Sequence, residues 1–159
     1  MENMYAGNKD FDAYRLDEAI PAPSRTVTEA DVVNFAGLSG DYHPLHTDEV
    51  FAQKSQFGKR IAHGMLTLTV MSGLMHAAGI ASDKSMAFLS LTNWTFKAPV
   101  YLGDTITVKI IVADKHESKK PDRGVITFHC QIVNVSRDGE VSSEGDWVQM
   151  YRRGVAPGS

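Results

Sequence analysis

The sequence predicts an α+β domain in which an antiparallel sheet wraps one long, buried helix. Residues 64–80 are apolar on nearly every helical face, leaving no polar stripe, so this helix must be covered on most sides. After Ser82-Asp-Lys84 the pattern changes to two-residue alternation, and it continues to Arg152 across glycine- and proline-containing turns. The 159-residue chain, 43% apolar and 22% charged, is long enough for one domain with a real core. It shows no repeat, low-complexity stretch or interdomain linker.

Taken in order, residues 1–10 read as a flexible N-terminus, 11–153 as the single domain and 154–159 as a flexible tail. Phe11 to Ile20 predicts a short strand with Tyr14 and Leu16 on one face, ended by Pro21-Ala-Pro23. Thr28 with Asp31 three residues on is a capping-box variant. It opens a short helix that turns Val32, Val33, Phe35 and Ala36 inward and stops between Gly37 and Gly40. Thr47 or Asp48 caps a second short helix over 49–54, and the central helix starts at Gly64. Phe88, Ser90, Thr92 and Trp94 alternate with Leu89, Leu91, Asn93 and Thr95 up to Ala98-Pro99. Beyond the Leu102-Gly-Asp104 turn, Ile106, Val108, Ile110 and Val112 alternate with Thr105, Thr107 and Lys109. Lys119 to Gly124 is a polar turn, 125–135 a β-branched strand, Arg137-Asp-Gly139 a hairpin signal, and 144–152 the closing strand.

A net charge of −3 argues against bulk nucleic-acid binding. Cys130 is the single cysteine, which excludes an intrachain disulfide. Its place in a strand pattern predicts a buried, inert thiol, and its solitude fits a reducing, cytoplasmic compartment. The charged stretch from Met1 to Ile20 is no secretory signal. Residues 61–81 hold His63, His76 and three glycines, too polar a run for a membrane span.

The chemistry concentrates in Ser39-Gly-Asp-Tyr-His-Pro-Leu-His46 and Phe57-Gly-Lys-Arg-Ile-Ala-His-Gly-Met65. Asp41 and His46, a carboxylate and an imidazole, lie on a loop stiffened by Pro44, which also pushes His43 toward an extended conformation. His63-Gly64 follows at the mouth of the central helix. A helix start offers N–H donors and the positive end of the dipole, and glycine permits close approach. An acid/base pair beside such a terminus suits proton transfer next to an activated carbonyl.

These two segments resemble the hydratase-2, or MaoC-like, branch of the hot-dog fold, whose pattern is close to S-x-D-x-N-P-[LI]-H followed by F-x-x-x-I-[AV]-H-G-[ML]. Trp94-Thr-Phe-Lys-Ala-Pro-Val100 with Gly103-Asp104 is similar to the family's strand leading into a P-x-x-x-G-D turn. The resemblance covers about Arg25 to Arg152. It implies a curved antiparallel sheet around one helix, a homodimer, no cofactor and no metal. It also implies that Asp41 and His46 hold the water that adds to C3 of a trans-2-enoyl thioester carried by CoA or acyl carrier protein, giving the (R)-3-hydroxyacyl thioester. Which of the two is the base stays open. The backbone N–H of Gly64 would face the thioester oxygen. Leu68, Met71, Ser72 and Met75, on roughly the face of Gly64, are acyl-binding candidates, with His43 and His63 in supporting positions.

His43 stands where the family usually has asparagine. Lys54, Lys59, Arg60, Lys97, Arg152 and Arg153 offer basic surface for a carrier, none of them assigned. His43, His46 and His63 as a metal triad lack the helical H-E-x-x-H support. A hot-dog thioesterase would place its carboxylate on or beside the central helix, whereas 64–80 has neither Asp nor Glu. A non-catalytic acyl-binding subunit would have no need of Asp41, His46 and Gly64 together.

Overall fold

The computed structural model describes residues 9–154, so the expected flexible ends fall almost wholly outside the described residues. The sheet contains β1 (Ala19–Ile20), β2 (Ser24–Thr26), β3 (Ser85–Phe96), β4 (Thr105–Glu117), β5 (Arg123–Asn134) and β6 (Glu140–Arg152). All pairings are antiparallel, in the order β1-β4-β5-β6-β3, with β2 also paired to β4. The helices are α1 (Glu29–Ser39), α2 (Pro44–Thr47), α3 (Glu49–Gln53) and the long α4 (Gly64–Ala77).

In β4 and β5 the alternation read from the sequence is the burial pattern, whereas β3 is broken by register shifts and is mostly exposed on both faces, with Ser85, Ser90, Leu91 and Trp94 half-buried. Ile106, Val108, Ile110 and Val112 of β4 join Ile126, Phe128, Cys130 and Ile132 of β5 in one core with Leu66, Val70, Met71, Leu74 and Met75 of α4. β-Branched and aromatic side chains suit such a pleated, half-buried face. Cys130 Sγ lies 4.0 Å from Met75 Sδ. Burial, helped by the charge of Asp146, pushes its thiol up to about 12, so the thiol is inert as expected. Tyr151 donates its hydroxyl to Ile80 O at 2.6 Å and so pins the exit of α4 to β6.

Asp104, in the turn before β4, accepts from Tyr101 N (3.0 Å), Asn134 Nδ2 (2.7 Å) and Arg137 Nε (3.1 Å). Burial alone would raise its pKa, but these donors outweigh it and hold the carboxyl below its usual range. Gly103, at φ +91°, supplies the left-handed residue this turn requires.

Several local expectations change. Phe11–Ala13 is a 3₁₀ turn capped by Asp10, and only Ala19–Ile20 pairs with β4. Phe11 seats where Gly124 has no side chain, 2.4 Å from an ideal Cβ, which draws the chain across the sheet rather than along it. Tyr14 is therefore buried against Phe128 and Tyr151, while Leu16 is exposed. The capping box at Thr28 and Asp31 is present, but Val33 is exposed, because Val32 and Ala36 occupy the buried face one turn apart. Pro44 starts a one-turn helix, so His46 is not on a loop; proline at the first helical position is pre-set for this. Asp48, not Thr47, caps α3. Along α4, Met65, Thr69, Ser72, Gly73 and His76 form an exposed stripe at helical spacing. The rest of the helix is packed into the core against the sheet, and this one stripe is left uncovered. No described helix is long and apolar enough to cross a membrane.

Candidate active site

Two hydrogen bonds clamp α2 to the segment entering α4. Ile61 N donates to Leu45 O at 3.1 Å, and His46 Nδ1–H donates to Ile61 O at 2.7 Å. Ile61 is itself bridged to Tyr101, and Ala62 N donates to Val100 O at 2.8 Å. The loop before α2 is braced in turn. Asp41 Oδ1 accepts from His43 N at 3.2 Å, and Asp41 N donates to Ser39 Oγ at 3.1 Å. The His43 side chain points its Nδ1 at Leu45 N, 3.2 Å away, and so caps α2. An asparagine would cap in the same way. Because the main chain of residue 43, not its side chain, bonds the Asp41 carboxylate, histidine is tolerated where the family pattern has asparagine.

His63 is buried, and its Nε2–H donates to the main-chain oxygen of Asp41 at 2.9 Å. Its ring stacks on His46 with centroids 3.8 Å apart and planes 30° apart. Asp41, His46 and His63 each bring one potential ligand atom within 4.8 Å of the others. Each imidazole gives one N–H to a main-chain carbonyl and keeps the lone pair of its other nitrogen.

A carbonyl only accepts, so His46 Nδ1 carries the proton and Nε2 keeps its lone pair. Burial lowers the His46 pKa, and His63 and His43 add to that. The Ile61 bond and Asp41 act the other way without overcoming it. The imidazole is therefore neutral near pH 7, ready to accept a proton.

Gly64 opens α4, whose N-terminus has no side-chain cap. An ideal Cβ there would lie 2.9 Å from the Phe96 ring, so the position has no room for a side chain while that ring is in place. A cavity of about 410 Å³ runs alongside, walled by Gly64, Ile61, Thr67, Phe96, Pro99 and Ser142. The expected acyl-binding residues are not in its wall. Leu68, Met71 and Met75 are core side chains facing the sheet, and Ser72 is on the exposed stripe. Helical spacing finds residues that share a face, but the space beside Gly64 is bounded by the end of β3 and by β6. Phe96 pairs with Ser143, and Lys97 N donates to Ser142 O at 2.8 Å. That pairing brings Phe96, Pro99 and Ser142 to the site and is not visible in spacing.

Of the basic residues, Arg60 is paired with Glu29 and Glu49, Lys97 with Glu144, and Arg153 with Asp12 and Glu117. Lys59 lies 4.6 Å over the Tyr101 ring.

Comparison with known proteins places the fold and the family. A protein of Mycobacterium tuberculosis with a double hot-dog fold superposes with TM-score 0.80 at 18% identity, over 94% of this chain and 46% of its own, a likeness of fold alone. A monoamine oxidase regulatory protein from Archaeoglobus superposes with TM-score 0.85 at 32% identity, over 96% of this chain and 99% of that one. The architecture is the hot-dog fold. An (R)-specific enoyl-CoA hydratase of Rhodospirillum rubrum is 34% identical over 125 residues, 77% of this chain and 78% of that protein. Protein MaoC of Klebsiella aerogenes is 37% identical over 109 residues, 69% of this chain but only 32% of its own length. The MaoC like domain matches residues 13–131. The chain belongs to the MaoC-like dehydratase family, and with it to the hydro-lyases.

Proposed function

We propose that the protein adds water to trans-2-enoyl-CoA thioesters to give (R)-3-hydroxyacyl-CoA, and catalyses the reverse dehydration. The observation that carries this is His46, its Nδ1 bonded to Ile61 O and its Nε2 left free, beside the Asp41 carboxylate next to the N-terminus of α4, which has no side-chain cap. A water bonded to both gives its proton to His46 Nε2 as its oxygen attacks C3. The C2=C3 electron pair moves toward the thioester oxygen, where the Gly64 N–H and the helix dipole meet the developing charge. His46 then returns the proton to C2. Asp41 holds the second water hydrogen and offsets the transient imidazolium. Positioned acid/base groups contribute roughly 10²–10⁴-fold and one oxyanion donor about 10²–10³-fold. The enoyl-CoA substrate is the one named for the Rhodospirillum rubrum relative.

Loss of conjugated-enoyl absorbance on adding a short enoyl-CoA, with free thiol followed in parallel, tests the reading. Hydration without thiol release supports it. Thiol release would mark a thioesterase, and no reaction at any acyl length a non-catalytic acyl-binding subunit.

Phe96 lines the cavity with its ring against Gly64. Phe96→Ala should favour longer acyl chains, raising the kcat/KM ratio of octenoyl- to crotonyl-CoA by about tenfold.

The 13–131 match and the hot-dog architecture also support a homodimer, for which β3 is the surface we propose. It ends the sheet with no further described strand beyond it, and Met86, Phe88 and Leu89 are exposed on it. A long apolar edge of this kind invites pairing with a second copy. Leu89→Lys should halve the mass seen by light scattering; an unchanged mass would place the interface elsewhere.

A further inference from the structure

The N-terminal ends of α2 and α4 are each begun by a histidine with nearly the same backbone: His43 at φ −53°, ψ 135° and His63 at φ −59°, ψ 139°. His43 does what a residue in that position does for helix stability, accepting from Leu45 N with its Nδ1. His63 does not. It makes no cap hydrogen bond, and its Nδ1 is buried with no partner. A buried polar atom without a partner is disfavoured, and this one would find a partner by turning to the helix as His43 does. What holds the ring away is visible. Its Nε2–H is bonded to Asp41 O at 2.9 Å, one face stacks on His46 at 3.8 Å, and Phe35 packs against it at 5.0 Å.

We propose that His63 is a positioning residue: its ring is drawn off the capping position to fix the Asp41 main chain and the His46 ring, which leaves the first-turn N–H groups of α4 open to a substrate oxygen. This rests on the hydration reading above. One residue thus links the acid/base pair to the oxyanion donor, and the same segment, 61–64, supplies the carbonyl that orients His46. The groups facing His46 are His63 from the start of α4, Asp41 from the preceding loop and His43 from the start of α2. Arg60, whose guanidinium reaches His46 O at 3.5 Å, is already engaged by Glu29 and Glu49. Of these, His63 is the one stacked on the ring. Together with burial it holds the imidazole below its ordinary pKa.

Two replacements separate positioning from packing. His63→Phe keeps the ring and its stacking but deletes the donor to Asp41, and it also removes the unpartnered nitrogen. It should melt no lower than wild type, yet lose about 10²-fold in kcat, the scale of a misplacement near 1 Å. His63→Gln places an amide nitrogen where Nε2 was and should retain most of kcat. In both variants the His46 titration, read by NMR, should move up toward the ordinary imidazole value of about 6.5, and the acid limb of kcat/KM should follow it. His63→Phe with wild-type kcat and an unshifted His46 would overturn the proposal, as would His63→Gln as impaired as His63→Phe. If His63→Phe does not fold, kcat and the NMR titration of His63→Gln decide alone. Failure of the wild type to hydrate any enoyl thioester would sink the functional reading instead, and the His46 titration would still report on His63.

Discussion

Asp41→Asn lowers kcat for enoyl-CoA hydration by about 10³-fold, and His46→Asn by a similar factor, with KM little changed and both variants melting near wild type. Both replacements keep the scaffold and remove the chemistry. In Asp41→Asn the side-chain oxygen still accepts from His43 N, so the loop keeps its brace and only the negative charge is lost. In His46→Asn the amide nitrogen stands in for Nδ1 and still donates to Ile61 O, while the lone pair at Nε2 disappears. The double variant should be little worse than either single one, because the two residues act on one water. The wild-type profile has a matching signature. His46 works neutral and its pKa is lowered, so activity should persist below the ordinary imidazole value of about 6.5 and fall only at more acidic pH. A stopped-flow series of kcat against pH checks both points.

Asp104→Ala lowers stability by about 2–3 kcal/mol, because it strands the buried Asn134 amide and removes three hydrogen bonds from one turn. For a chain of this size that is a fall of roughly 5–10 °C in Tm. The pH dependence has a definite sign. The folded-state pKa of Asp104 is depressed, so its contribution is complete above the unfolded carboxylate value of about 3.9 and is lost as pH falls through the folded value. Urea unfolding at pH 7 should show the full gap between wild type and variant, and the gap should narrow as the pH drops below that range. A gap that stays constant with pH would mean the carboxylate charge is not what holds the turn.

The strands were legible because their alternation is local. Ile106, Val108, Ile110 and Val112 announce a buried face two residues at a time, and the structure buries each of them. The capping box at Thr28 was legible for the same reason. Asp41, His46 and Gly64 could be singled out by their types and by the resemblance, and the structure sets them around the 61–64 segment. What spacing missed depends on tertiary contact. The partnering of His63 with both Asp41 and His46 joins residues 22 and 17 positions apart through a turn, a one-turn helix and a bridge. Phe96 and Ser142 reach the cavity through β3–β6 pairing, whose register shift between Thr92 and Thr95 no local pattern predicts. The exposed stripe of α4 was missed because Met65, Thr69, Ser72, Gly73 and His76 include no Asp, Glu, Lys or Arg, so exposure left no charged mark on the sequence.

Hydration run in ¹⁸O-labelled water, with the product examined by mass spectrometry and chiral chromatography, puts the proposed site to its sharpest test. Water activated by Asp41 and His46 should leave one ¹⁸O in the C3 hydroxyl of an intact (R)-3-hydroxyacyl-CoA, and at equal enzyme concentration the label should enter about 10³-fold more slowly in Asp41→Asn. Label in a free carboxylate with thiol released, or equally fast labelling of C3 in wild type and Asp41→Asn, would show that this pair does not add water to the double bond.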